Sequence, residues 1–438
     1  MPVPLMPNLP PEPKTIEETG LSMAFLADLA LKTMYTRGFM MGHEIAEAMK
    51  LPFANVMDKV LDYLRREHLT EVKGSSGFGE SSYQYIISED GRTRARELMD
   101  QNQYVGAAPV RLEEYIQMTL TQSLAGQVVT QSMLKQAFSH LVLNETILNQ
   151  LGPAINSGKS IFLFGNAGNG KTAIAEAIGS LLPGAILIPY AINVDGHIIK
   201  VFDGLHHQVL PEKGDDDKTT PGIRKGERYD KRWVLIRRPL IAVGGELLLE
   251  HLDLVYDATA KFYEAPFQMK ANGGAFLIDD FGRQQSRPRD LLNRWIVPLE
   301  KRTDYLTLAT GRKIDVPFDA LILFATNLNP EELVDEAFLR RIRYKIYVGD
   351  PSWEEFREIF IRVAAKNSVP YSEEGLRYLV MEHYIKPKRK PRAVHPRDII
   401  DELIDIAHYR GVPPSMSKEL IDAACQAYFI KSQTTRTS

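Results

Sequence analysis

The sequence predicts an α/β chain: an open parallel sheet flanked by helices, with a small helical domain ahead of it and a second helical domain behind. Three observations carry this reading. Hydrophobic residues at 44% and charged residues at 25% of 438 are the values of a folded chain, long enough for two or three domains. From about residue 123, apolar runs of strand length alternate with amphipathic helical segments, the grammar of a parallel sheet. After Pro351 only helical spacing remains, interrupted by the basic loop KPKRKPRAVHPR.

Taken in order, residues 1–20 are rich in Pro and Glu without periodicity and are expected to form a flexible tail. Their prolines stand where a signal peptide needs an apolar helix, and no stretch reaches the roughly 18 unbroken apolar residues of a membrane span, so a cytoplasmic location is expected. The segments SMAFLADLALKTMY, GHEIAEAMK and PFANVMDKVLDYLRREH predict three short helices. LTEVKG and SYQYIIS predict a hairpin around SSGFGES, and EDGRTRARELMDQN a closing helix. Helix, helix, helix and a two-stranded wing over residues 21–102 resembles a winged helix-turn-helix domain. Residues 103–122, opening on Gly, Ala and Pro, suit a linker into a new helix.

The predicted strands of the sheet are SIFLFG, AILIPYAI, AFLIDDF, DALILFATN and RYKIYVGD, which assign residues 123–350 to an α/β core. About 80 residues separate the second strand from AFLIDDF, so an insertion is expected at 193–270. It holds the polar loop EKGDDDKTTPGIRKGERYDKR and the β-rich run RWVLIRRPLIAV. YLTLATGRKIDVPF predicts another hairpin, just before DALILFATN. Residues 351–438 form the closing helical domain, where the single cysteine, Cys425, sits in an apolar helical pattern and is expected to pack.

The strand SIFLF leads directly into Gly165-Asn166-Ala167-Gly168-Asn169-Gly170-Lys171-Thr172, and Ala173 continues the following helix. This is a P-loop, or Walker A, motif in the right context. Its glycines let successive backbone N–H groups turn inward around phosphates at a helix N-terminus, Lys171 reaches the β- and γ-phosphates, and the Thr172 hydroxyl binds Mg²⁺. ATP is thus the expected cofactor. The strand AFLI then ends in Asp279 and Asp280, where sheets of this class bind ligands. Asp279 is expected to hold Mg²⁺ through water, as a Walker B acid, and Asp280 to act as general base on the attacking water.

The strand ending at Asn327, the pair Arg340 and Arg341 before the last strand, and Arg397 opening the helix IIDELIDIA complete an ordered set. In that order, over about seven-tenths of the chain (residues 123–435), it resembles the AAA+ ATPase family. The resemblance implies an α/β ATPase core with a C-terminal helical lid. It makes Asn327 sensor 1, Arg341, or less favourably Arg340, an arginine finger serving a neighbouring subunit's ATP, and Arg397 sensor 2. It implies a homo-oligomeric ring, commonly a hexamer. The hairpin before Asn327 looks like the pre-sensor hairpin of the MoxR-like, helix-2-insert and related branches. In that family the second acid is usually Glu; here it is Asp280, one methylene shorter.

Two functions follow: a ring ATPase remodelling a protein partner docked by the winged helix, or a DNA-binding ATPase of replication, transposition or transcription regulation. A slow, nucleotide-switched scaffold is a third, which leaves the finger arginines without a reason. The net charge of −3 gives no global reason to expect nucleic acid. Residues 1–100 carry 11 Lys and Arg against 15 Asp and Glu, a charge of −4. Asp58 and Asp62 on the third helix would oppose phosphate approach, which favours protein docking, although Arg92, Arg94 and Arg96 after the wing offer a local backbone contact.

Overall fold

The computed structural model describes residues 8–211, 223, 226–333 and 339–429. By its internal contacts the chain divides into two compact units. One comprises Met1–Gln127, Leu182–Phe276 and Gln284–Ile322; the other Val128–Leu181, Leu277–Arg283 and Leu323–Ser438. The units cut across the boundaries expected from sequence. Residues 21–102 share a unit with the insertion, and the C-terminal helices share one with the Gly-rich loop.

In the first unit, helices Met23–Arg37, Gly42–Met49 and Glu89–Gln101 lie within the segments expected to be helical, while the third, Asp58–Arg66, begins later than expected because Ala54 and Asn55 are non-helical. The Ser22 and Ser88 side chains accept from the backbone N–H of Phe25 and Gly91, caps worth about 1 kcal/mol each. Strands Thr70–Ser75 and Tyr83–Ile87 pair antiparallel, with Met40–Met41 on the far side of the second. A Cβ on Gly91 would lie 2.0 Å from the Leu69 carbonyl oxygen, so only glycine admits this close approach. The core is built from Leu26, Leu31, Ile45, Val56, Leu61 and Leu64, and it also takes in Ala191 of AILIPYAI and Ile198 of the insertion. That shared core is why residues 21–102 do not stand apart.

The expected tail is ordered over residues 8–20. Ile16 and Thr19 are buried, the Asp230 N–H donates to the Pro10 carbonyl, and Arg232 Nη1 donates to the Thr19 carbonyl at 2.7 Å. Arg232 is 2% exposed, and Asp230 meets its charge at 2.7 Å, as a buried guanidinium requires. Residues 1–7 lie outside the described residues. The expected linker is likewise built in: Val110–Arg111 pairs with Ala191–Val194, Leu112–Thr121 is helical, and the buried Tyr104 hydroxyl donates to the Ala107 carbonyl.

One strand assignment needs correction. AILIPYAI does not join the parallel sheet; it splits at Tyr190 into Ala185–Pro189, antiparallel to Trp233–Arg237, and Ala191–Val194, antiparallel to His197–Lys200. A continuous apolar run records burial on both faces but not which sheet it joins. The polar loop of the insertion lies mostly outside the described residues. The later hairpin forms as expected, Thr303–Thr307 pairing with Lys313–Pro317.

In the second unit, Ile161–Phe164 lies between two parallel neighbours, residues 323–326 and Tyr344–Tyr347, with the end of the strand Ala275–Ile278 beyond the first of these. Parallel pairing sets the C-terminal ends of these strands along one edge, delivering Gly165, Asn327 and Asp350 there. Beneath that edge Phe162, Phe281 and Phe324 are fully buried against one another, with ring centroids 5.1–6.1 Å apart.

Helices Trp353–Lys366, Glu373–Leu379, His395–Arg410 and Lys418–Tyr428 close the unit around Phe356, Phe360, Leu379, Ile400 and Leu403. Cys425 packs there, and burial pushes its thiol up to about 12. Among the described residues no helix is long and apolar enough to cross a membrane.

Candidate functional site

The Gly-rich loop turns from the strand Ile161–Phe164 into the helix Lys171–Leu181. Gly165 has φ 142°, and a Cβ there would stand 2.2 Å from the Val348 carbonyl oxygen, so a side chain at this position would push the neighbouring strand away. The loop, Asp279, Asp280, Asn327 and Arg397 line one cleft of about 470 Å³, together with Leu141, Val142, Ile359 and Val363. A cleft of about 600 Å³ in the first unit is lined by Glu18, Glu114, Asp230, Arg232 and Arg238, and there Asp230 pairs with Arg232 at 2.7 Å.

The polar groups of the site are held in a chain. Lys171 Nζ donates to the carbonyls of Gly165 and Asn166 at 3.0 and 2.9 Å and to Asn327 Oδ1 at 2.6 Å. Asn327 Nδ2 donates in turn to Asp280 Oδ1 at 3.0 Å. Lysine on one side and a carboxylate on the other fix the orientation of the amide, since only its oxygen accepts and only its nitrogen donates. The Thr172 hydroxyl donates to Asp279 Oδ2 at 2.7 Å. Burial lowers the pKa of Lys171, and the charges of Asp279 and Asp280 oppose that shift.

Asp280 has φ 47°, a left-handed conformation costly for a residue other than glycine. Strain of this kind persists where the surroundings over-determine a position, and here the turn aims the carboxylate at Asn327.

The structure also places residues that the motif reading did not single out. Asp350, just past the strand Tyr344–Tyr347, accepts from Asn169 Nδ2 at 2.8 Å and Asn166 Nδ2 at 3.2 Å, and forms an ion pair with Arg392. Burial raises its pKa, but donation from Asn169 and Asn166 and the charge of Arg392 outweigh this and hold it below the usual value. The segment after Arg392 also binds the loop, the Val394 N–H donating to the Gly168 carbonyl at 2.8 Å. A Cβ on Gly168 would meet Val394 at 2.7 Å. Arg362 Nη1 donates to the Ser139 carbonyl at 2.6 Å, beside the apolar end of the cleft. The sequence signal for Asp350 is the loop itself, where two amides at positions 166 and 169 call for a shared acceptor.

Of the remaining expected residues, Arg397 lines the cleft and bonds its neighbour Asp398 at 3.0 Å. Arg340 and Arg341 lie in the turn before Tyr344–Tyr347, the first exposed and the second half-buried, and neither lines the cleft. Thr172 and Asp279 offer two hard oxygen donors, and among the described residues no cluster of three His, Cys, Asp or Glu could hold a metal ion. A divalent cation here would therefore take its other ligands from water and phosphate, which is how Mg²⁺ is usually held.

Residues 352–427 match a family described as a domain of unknown function (DUF8689). A search of curated proteins by sequence gives no match. Among solved structures, the chain is similar to NtrX from Brucella abortus in complex with ADP, at 16% identity and TM-score 0.40, covering 70% of this chain and 60% of that one. It thus spans about 60% of the length of that NtrX chain. NtrX in complex with ATP gives 13% identity and TM-score 0.38, covering 88% of this chain and 74% of that one. A mutant RuvB from Thermotoga maritima gives 10% identity and TM-score 0.37, covering 65% and 69%.

Proposed function

We propose that this protein is an ATP hydrolase of the AAA+ type that works as a ring and remodels a protein partner. The observation that carries the hydrolase reading is the chain Lys171–Asn327–Asp280 beside the pair Thr172–Asp279, all at the mouth of a P-loop motif. The donor set fits Mg-ATP. Residues 165–173 would hold the phosphates, with the loop N–H groups and Lys171 supplying positive charge, while Thr172 and Asp279 would hold Mg²⁺. The metal supplies charge neutralisation at the phosphate oxygens.

The chain's own part is positional. Asn327 steers the Asp280 carboxylate, which takes the proton of the attacking water, a contribution typically worth about 10²–10⁴-fold. Asp280 is one methylene shorter than glutamate, and its φ of 47° together with the Asn327 hydrogen bond aims the shorter arm. Arg397 stands in the cleft to meet phosphate charge.

Arg341, or Arg340, lies outside the cleft and is assigned to a neighbouring subunit's nucleotide, which makes hydrolysis depend on assembly. Arg341→Ala subunits, inactive alone, should then regain activity when mixed with inactive Lys171→Ala subunits. Undiminished activity of the parent on dilution to monomer would sink the ring.

Residues 21–102, read as a winged helix, are assigned to docking a protein. On the third helix Arg65 and Arg66 both pair with Asp62, at 2.6 and 2.5 Å, so these two cations share a carboxylate within the helix. Arg94 faces Asp28 and Glu97. Duplex DNA titrated against the full chain should bind weakly and steeply with salt between about 50 and 200 mM; sub-micromolar binding at the higher salt would reinstate the DNA-engaging alternative.

A further inference from the structure

The ion pair between Asp350 and Arg392 lies against the Gly-rich loop without belonging to the loop motif, the acid pair or the three candidate arginines. Asp350 is the common acceptor of Asn166 and Asn169, the two amides of the loop, and Arg392 closes the same carboxylate from the C-terminal helical region. The chain next to Arg392 binds the loop as well, through the Val394 N–H to the Gly168 carbonyl and the Ala393 N–H to Asn169 Oδ1.

A carboxylate in this place presents a problem. The loop receives a polyanion, and an uncompensated negative charge on its Asn166 and Asn169 would repel it. Burial strengthens that repulsion, because less water screens it. Arg392 removes it while leaving the carboxylate oxygens able to accept from both amides.

Building on the ATP-binding reading, we infer that Asp350 is a positioning residue for the nucleotide: it holds the Gly-rich loop in its phosphate-receiving shape through Asn166 and Asn169, and Arg392 is its obligatory counter-charge. The two residues act as one neutral unit, so their effects on nucleotide affinity are coupled rather than additive. Removing the cation alone leaves an anion at the loop. Removing both charges restores neutrality and retains one carbonyl acceptor for the amides.

The test is calorimetric titration of the full chain with ADP and Mg²⁺, beside a thermal melt of each variant. Arg392→Gln should weaken binding roughly ten- to hundredfold, in the range of losing a charged hydrogen bond and exposing its partner. Asp350→Asn should stay within about threefold of the parent, and Asp350→Asn/Arg392→Gln should return to within about threefold of Asp350→Asn. Arg392→Lys, which keeps the charge, should bind far better than Arg392→Gln, and it carries the test should the glutamine variant fail to fold.

A double variant as weak as the two single effects combined would show that the residues act independently of each other and overturn the inference, as would parental affinity in Arg392→Gln. Failure of the ATP-binding reading looks different: the parent itself would not bind. If the parent binds, Lys171→Ala does not, and the cycle is additive, that reading stands and the inference alone falls.

Discussion

The cleft around the Gly-rich loop and the first hundred residues are organised by different physics. In the cleft nearly every functional side chain has a polar partner at a fixed place, as in the run from Lys171 through Asn327 to Asp280. In the helices and hairpin of residues 21–102 order comes from shape: Leu26, Ile45, Leu61 and their neighbours are buried, while the charges above them pair with one another along the surface. The difference teaches where function can be read. A site specified by charge and hydrogen bonds states its chemistry; a surface above an apolar core states only that it is presented.

The contrast can be broken or sharpened by mutation, beginning with the largest effect. Lys171→Ala removes three hydrogen bonds and the buried cation, and should weaken Mg-ATP binding at least about a hundredfold with little change in thermal stability. Parental affinity in a nucleotide titration would mean that the cleft is not organised around this lysine. Leu61→Ala empties a fully buried position and should cost about 2–5 kcal/mol in urea unfolding, with nucleotide affinity of the folded protein unchanged. A change in affinity there would break the contrast, because shape would then control the site.

A smaller effect concerns acid. His395 is buried, and with Arg392 nearby its pKa falls from 6.5 to about 4. Its Nδ1 lies 2.9 Å from the Tyr384 hydroxyl. Since the unfolded chain binds the proton more readily than the folded one, this histidine's contribution is complete above about pH 6.5 and declines as pH falls towards 4. Thermal melts at pH 7 and 5 should show a steeper loss for the parent than for His395→Gln, and equal slopes would contradict the assignment. Smallest of all, Arg66→Ala breaks an exposed pair, and its cost should stay below about 1 kcal/mol.

How far each region was legible follows from the same distinction. Gly165 to Ala173, Asp279, Asp280 and Asn327 stand out because their residue types, in that order at strand ends, match one expected chemistry, and the fold brings residues 167–173 and the three polar residues to one cleft. Asp350 and Arg392 lie 42 residues apart and more than 180 from Asn166. No local pattern links them, and only the strand ending at Tyr347 and the turn before His395 bring them to the loop.

The helices of residues 21–102 were readable from their spacing, yet the core they share with Ala191 and Ile198 was not, because apolar periodicity says which face is buried and not against what. The same ignorance misplaced AILIPYAI. The Pro- and Glu-rich start looked unstructured for want of periodicity, but it is held by backbone carbonyls, such as those of Pro10 and Thr19, whose partners are chosen by tertiary position.

The central claim, that Asp280 performs the hydrolytic step in a site that Lys171, Thr172 and Asp279 prepare, is tested most directly by Asp280→Asn. This variant keeps the size of the side chain, an oxygen that can accept from Asn327, and every other group of the cleft, and it loses only the base. Binding of Mg-ATP and its steady-state hydrolysis should be measured side by side on the full chain at a concentration that sustains assembly. The account predicts binding within a few-fold of the parent and turnover lower by about 10²–10⁴; turnover equal to the parent's, with binding intact, would contradict it.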